Sequence, residues 1–98
     1  MSCKIAVELS PIFQSRLGVD RLSLMIAEDR ATVKGVLCSL AEGNGAKITP
    51  FLFAGEGILA GLMVMVNDRI FTGSALNQQD VSLRDGDKVS LLYYVSGG

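Results

Sequence analysis

The residues best placed to do chemistry are Gly97-Gly98, two positions without a side chain, preceded by Val95-Ser96. A Cβ-free dipeptide passes through a channel that a larger residue would block, and it carries an α-carboxylate to the far side. Such a carboxylate, with a pKa of about 3.3–3.7, is ionised at neutral pH and resists nucleophiles until a leaving group is attached. Taken alone, Gly-Gly fits a plain linker equally well. Composition removes several competing chemistries. Histidine is absent, so no imidazole serves as general base or metal ligand. Serine and cysteine triads and most zinc sites go with it. The two cysteines, Cys3 and Cys38, form no CxxC and are too few for a disulfide scaffold. They read as small hydrophobes, with a reactive or sulfur-accepting Cys38 as the alternative. Asp85-Gly86-Asp87 reads as a turn, because two carboxylates without further ligands hold a divalent cation poorly; no metal site is expected. A net charge of −1 offers no basic field for a phosphate backbone, so no nucleic-acid partner is expected.

The elements that must position this tail follow from periodicity. In Lys4–Leu9, Ile5, Val7 and Leu9 alternate with Ala6 and Glu8, the period of a half-buried strand. Ser10-Pro11 closes it, and Phe13 and Leu17 anchor a turn that Gly18 ends. Leu22, Leu24 and Ile26 repeat the alternation, giving a second strand antiparallel to the first. Thr32 is placed to cap a helix of about ten residues, whose apolar stripe is Val33, Val36, Leu37, Leu40 and Ala41. Gly43 or Asn44 ends it in the left-handed conformation. Gly43–Gly61 is the least legible stretch: Ile48–Phe53 is expected as a turn of helix or an anchored loop, and Gly55-Glu56-Gly57 as a mobile tip. Leu62–Asn67 is a third strand, Asn67-Asp68 a turn, Ile70-Phe71 a short return strand, and Asn77–Ser82 a polar connection. Lys88–Val95 is the last strand, with Val89, Leu91 and Tyr93 on one face and Ser90, Leu92 and Tyr94 on the other. Met25, Met63 and Met65 read as core filler.

The 98 residues with 49% hydrophobic content exclude disorder and suit one domain, 1–98, with 95–98 as a flexible tail. One amphipathic helix covers one face of the sheet, so the second face is polar or a binding surface. The longest apolar run, Ile58–Val66, is nine residues including Gly61, against the ~20 a membrane span needs. Met1–Leu9 alternates instead of running apolar, so no signal peptide is read. A cytoplasmic protein without a membrane partner is expected.

Val66-Asn67-Asp68, then Leu83-Arg84-Asp85-Gly86-Asp87-Lys88-Val89, then Val95-Ser96-Gly97-Gly98 resemble the MoaD/ThiS family of ubiquitin-like sulfur carriers. The resemblance implies an α+β fold, the β-grasp: a mixed sheet of four to five strands with one main helix packed on one face. It also implies a non-enzymatic function. An E1-like adenylating enzyme spends ATP to place AMP on the Gly98 carboxylate, with Gly97 beside it in the channel. A persulfide sulfur donor then replaces AMP, leaving a thiocarboxylate. A synthase large subunit or another sulfur-accepting enzyme takes the sulfur. No cofactor is bound by the carrier itself. The family's apolar contact surface maps onto Ile70 and Leu92, with Tyr94, Val95 and Ser96 leading into the tail. Tyr93-Tyr94 stand where molybdopterin-type carriers place two prolines. Molybdopterin synthesis is the leading pathway; carriers for thiazole, cysteine and tungsten-cofactor pathways have similar tails. A ubiquitin-like modifier joined to lysines through Gly98 shares the chemistry up to the adenylate.

Overall fold

The structure, a computed structural model, describes residues 2–93. Expectations for Tyr94, Val95, Ser96, Gly97 and Gly98, including the flexible tail, therefore lie outside the described residues. Five strands form one mixed sheet in the order β2-β1-β7-β5-β6. They are β1 (Ser2–Leu9), β2 (Arg21–Ala27), β5 (Leu62–Val66), β6 (Arg69–Thr72) and β7 (Lys88–Tyr93). A separate hairpin joins β3 (Phe53–Ala54) to β4 (Gly57–Ile58). The helices are α1 (Pro11–Leu17), α2 (Val33–Asn44), α3 (Thr49–Leu52) and α4 (Gly73–Gln78), with single 3-10 turns at Glu28–Arg30 and Gly45–Lys47.

The strand alternation fixes one core. Ile5, Val7, Leu62, Val64, Val89 and Leu91 point to the same side and are fully buried against Val33, Val36, Leu37 and Leu40 of α2. Because side chains alternate along a strand, the residues between them form the opposite face. β2 is antiparallel to β1, as expected.

The N-terminus of α2 meets its backbone demand in full. The Thr32 hydroxyl accepts from the Gly35 N–H at 2.9 Å. Asp80 accepts from the Lys34 N–H at 3.0 Å and the Val81 carbonyl from the Val33 N–H at 2.9 Å. These are the donors a helix start leaves orphaned. Gly35 admits the Arg30 carbonyl where a Cβ would collide with it.

Several elements differ from expectation. The stretch after β1 is a helix, not a turn: Pro11 occupies its first turn, and Gly18, at φ +76°, caps it by donating to the Gln14 carbonyl at 2.7 Å. Phe13 is buried there, as expected. α2 runs to Asn44, so Gly45 at φ +58° takes the positive-φ position that Gly43 or Asn44 was expected to take. In the illegible stretch, α3 buries Leu52, with Ile48 buried just ahead of it, and of the expected tip, Gly55-Glu56 form the turn of the β3–β4 hairpin while Gly57 pairs with Ala54. Asn77 holds that hairpin: its Oδ1 accepts from the Ile58 N–H at 2.7 Å and its Nδ2 donates to the Ile58 carbonyl at 2.8 Å. Asn77 itself belongs to α4, so the connection expected from Asn77 begins inside a helix. The Thr72 hydroxyl caps that helix by accepting from the Ala75 N–H at 3.1 Å.

Candidate docking face and the root of the tail

The site is built on β7, the middle strand of the sheet. Its entry is fixed by the two turns that the sequence shows as separate motifs and the structure joins. Asp87 accepts from the Arg84 N–H at 2.8 Å through Oδ2 and from Asn67 Nδ2 at 3.2 Å through Oδ1. Asn67 Oδ1 accepts from the Lys88 N–H at 3.2 Å, and the Asn67 N–H donates to the Lys88 carbonyl at 2.9 Å. Asn67 sits at φ +54°, a conformation that asparagine tolerates better than most residues. The other side of the turn is tied to β1. Asp85 accepts from the Lys4 N–H at 2.7 Å, and the Gly86 N–H donates to the Lys4 carbonyl at 2.9 Å. Gly86 lies at φ +91°, which accounts for glycine there. Asp85-Gly86-Asp87 is thus a turn that locks three strands in register, the role expected of it. Among the described residues no group of three or more His, Cys, Asp or Glu side chains could hold a metal ion.

The face turned away from the core carries the partner-contact candidates. One row crosses all five strands: Arg21, Glu8, Ser90, Met65, Ile70. Its β2–β1 end is charged. Glu8 pairs with Lys88 at 3.3 Å and lies 3.4 Å from the Ser90 hydroxyl. Its β5–β6 end is apolar, and Ile70 is 53% exposed. The next row sets Leu92 against Met63. Leu92 is half-buried, while Leu91 before it is fully buried, so Leu92 belongs to the outer face. The structure thus brings Ile70 and Leu92 onto one apolar patch, two strands apart, with Met63 and Met65 between them.

The methionines correct the sequence reading. Met25, Met63 and Met65 are not core filler; all three sit on the outer face, and Met25 is 67% exposed. The signal was present in the strand pattern. Met63 and Met65 alternate with Leu62, Val64 and Val66, and only one set of an alternating strand can enter a one-sided core. Cys3 is buried, Cys38 is half-buried on α2, and both are free thiols.

A mixed five-strand sheet with the last strand at its centre and one long helix across a single face defines the β-grasp, the ubiquitin-like fold. The ThiS family model matches residues 19–98, and the chain belongs to that family. Like that family, it is a small carrier protein and not an enzyme. Solved structures agree on the fold. The chain is similar to SAMP1, small archaeal modifier protein 1, from Haloferax volcanii, with 20% identity, TM-score 0.77, and 97% of this chain and 99% of that one covered. It is similar to a putative molybdopterin converting factor, subunit 1, from Pyrococcus furiosus, with 24% identity, TM-score 0.70, and 96% and 100% covered. It is also similar to a chain of the Amycolatopsis orientalis BexX/CysO complex, with 20% identity, TM-score 0.70, and 96% and 99% covered. A search of curated protein sequences gives no match. No helix among the described residues is long and apolar enough to cross a membrane.

Proposed function

We propose that this protein is a sulfur carrier whose Gly98 carboxylate is adenylated by an E1-like enzyme and converted to a thiocarboxylate, with molybdopterin synthesis as the receiving pathway. The supporting observation is the geometry of β7. This central strand presents Leu92 on the apolar outer face, and Tyr93, the last described residue, stands five residues before Gly98 in the sequence. Five extended residues reach at most about 18 Å. A partner seated on Met63, Met65, Ile70 and Leu92 therefore has its reaction centre within the tail's reach. The unactivated carboxylate is a poor electrophile; AMP supplies the leaving group, the outer persulfide sulfur displaces it to form an acyl disulfide, and a second thiol then cleaves that S–S bond, leaving the thiocarboxylate on Gly98 and a disulfide on the donor. The carrier contributes position alone, which suits a chain without histidine. Tyr94, Val95, Ser96 and Gly97 serve as the segment threaded into the partner. The similarity to a molybdopterin converting factor subunit favours the pathway, and the similarity to a chain of a two-protein complex fits a partnered carrier.

The similarity to SAMP1 favours one second reading, a modifier whose Gly98 carbonyl ends on a lysine amine. One experiment separates the two. The protein is incubated with its adenylating enzyme, ATP, a persulfide source and a thiol reductant, and its intact mass is measured. A carrier gains the mass of one sulfur for one oxygen at the terminus. Deleting Gly98 abolishes the gain, because one extended residue spans ~3.3–3.6 Å and a ~1 Å misplacement can cost ~10²-fold. Wild-type gain in the deletion variant, mapped to the terminus, refutes the carrier. Isopeptide adducts in place of thiocarboxylate decide for the modifier.

A further inference from the structure

The three outer-face methionines occupy two different settings. Met63 lies opposite Leu92, and Met65 lies between Ser90 and Ile70, so two half-buried thioethers form the middle column of the apolar patch. Met25 lies on the edge strand β2, opposite Lys4, with β1 and β7 separating it from β5. Three strand spacings, together with the four-residue offset of Lys4 from Glu8 in the row of Met65, put it roughly 20 Å from the Met63–Met65 column. A thioether is a soft apolar filler that adapts to a facing surface. Its sulfoxide is polar and chiral, and burying it without a donor is unfavourable. The neighbours of Met63 and Met65 in the strand, Leu62, Val64 and Val66, supply the core contacts. A change at the two sulfurs therefore reaches the docking face and leaves the core untouched.

We propose that Met63 and Met65 make partner docking reversible by oxidation, so that a peroxide-class oxidant disables the carrier without unfolding it. The proposal rests on the reading that the Ile70–Leu92 face receives the adenylating enzyme. In the step, a sulfur lone pair attacks one peroxide oxygen, an S–O bond forms and the O–O bond breaks. The thioether is oxidised by two electrons to the sulfoxide, and the peroxide is reduced to water. A dithiol-dependent methionine sulfoxide reductase reverses it, releasing water and a disulfide.

In the test, the full chain is treated with hydrogen peroxide until peptide mass mapping shows sulfoxide at Met63 and Met65. Dithiothreitol then reduces any disulfide or sulfenic acid at Cys3 or Cys38, and the mass map excludes preparations with more highly oxidised cysteine. Binding to its E1-like adenylating enzyme is measured by calorimetry. The expected dissociation constant rises about tenfold or more, the thermal melt is retained, and sulfoxide reductase restores affinity. Met25→Leu shows the same rise. Met63→Leu/Met65→Leu sets its own untreated affinity, and treatment does not move it. An unchanged dissociation constant in the oxidised wild type overturns the proposal. So does a rise that persists in the double variant, or loss of the folded state. If untreated protein does not bind the enzyme at all, the docking reading falls first and the oxidation switch with it.

Discussion

Replacing Asp87 with alanine tests whether the joined turns hold the root of the tail. The variant removes the acceptor for the Arg84 N–H at 2.8 Å and for Asn67 Nδ2 at 3.2 Å. A hydrogen bond to a charged group contributes about 1.5–3 kcal/mol when water cannot replace it. Here Arg84 and Asn67 are exposed and Asp87 is half-buried, so water recovers part of the loss. The net cost is therefore set at about 1–2 kcal/mol. For a chain of this size that lowers Tm by roughly 5–15 °C. Thermal and urea unfolding of Asp87→Ala, Asn67→Gly and the double variant complete a cycle. Glycine at Asn67 removes the side chain while keeping the positive φ accessible. The Asn67–Asp87 contact should appear as a coupling of about 0.5–1 kcal/mol. Amide exchange at the start of β7 should accelerate in Asp87→Ala before exchange in α2 does. A Tm within about 2 °C of the parent, or no coupling in the cycle, would refute the claim that the two turns act as one unit.

Leu92→Asp should keep the parent's melting behaviour yet weaken binding to the adenylating enzyme at least about tenfold, since a buried apolar contact is worth roughly 1.5–3 kcal/mol. Calorimetry and a thermal melt on the same preparation check both halves; a variant that unfolds would place Leu92 in the core. Gly73→Ala should destabilise by about 1–3 kcal/mol, because the new Cβ collides with the Leu59 carbonyl and backbone must shift to admit it. Urea unfolding reads that loss directly. Asn77→Ala should release the β3–β4 hairpin with only a modest change in global Tm. The check is hydrogen exchange, where the Ile58 amide should lose protection while those of β1 and β7 keep theirs.

The fold was legible wherever one element faces one core. The alternation of Ile5, Val7 and Leu9, the stripe of Val33, Val36, Leu37 and Leu40, and the Thr32 cap each determine a strand or helix from local pattern. The missed elements are short and carry little periodicity. α4 buries Gly73 and Leu76 alone, and its one local signal is Thr72 ahead of Ala75. α1 had its signals in plain view, Pro11 at the start and Gly18 at the end. Seven residues show scarcely two turns of helix, so the same residues fit the close of a strand and the end of a turn equally well. The site divides the same way. Strand parity put Leu92 on the outer face, and the family resemblance pointed to Ile70. Residue type alone points Met63 and Met65 to the core, against their own alternation. The Asn67–Asp87 bond joins positions twenty apart in sequence and becomes visible only once β5 and β7 are paired.

The central position of β7 has a consequence for how the protein is made. The β1–β2 hairpin and the β5–β6 hairpin do not pair with each other; each joins the sheet through β7 alone. A nascent chain that has emerged only as far as Asp87 holds two separate ribbons with no strand between them, and an isolated two-stranded ribbon is marginal in water. The long-range pairings that complete the sheet wait for the last strand to be synthesised. A chain interrupted before β7 should stay open to proteases and chaperones and should never display Leu92 beside Met63. In the proposed role, the face that sets Leu92 beside Met63 would therefore be missing from any chain that stops before β7.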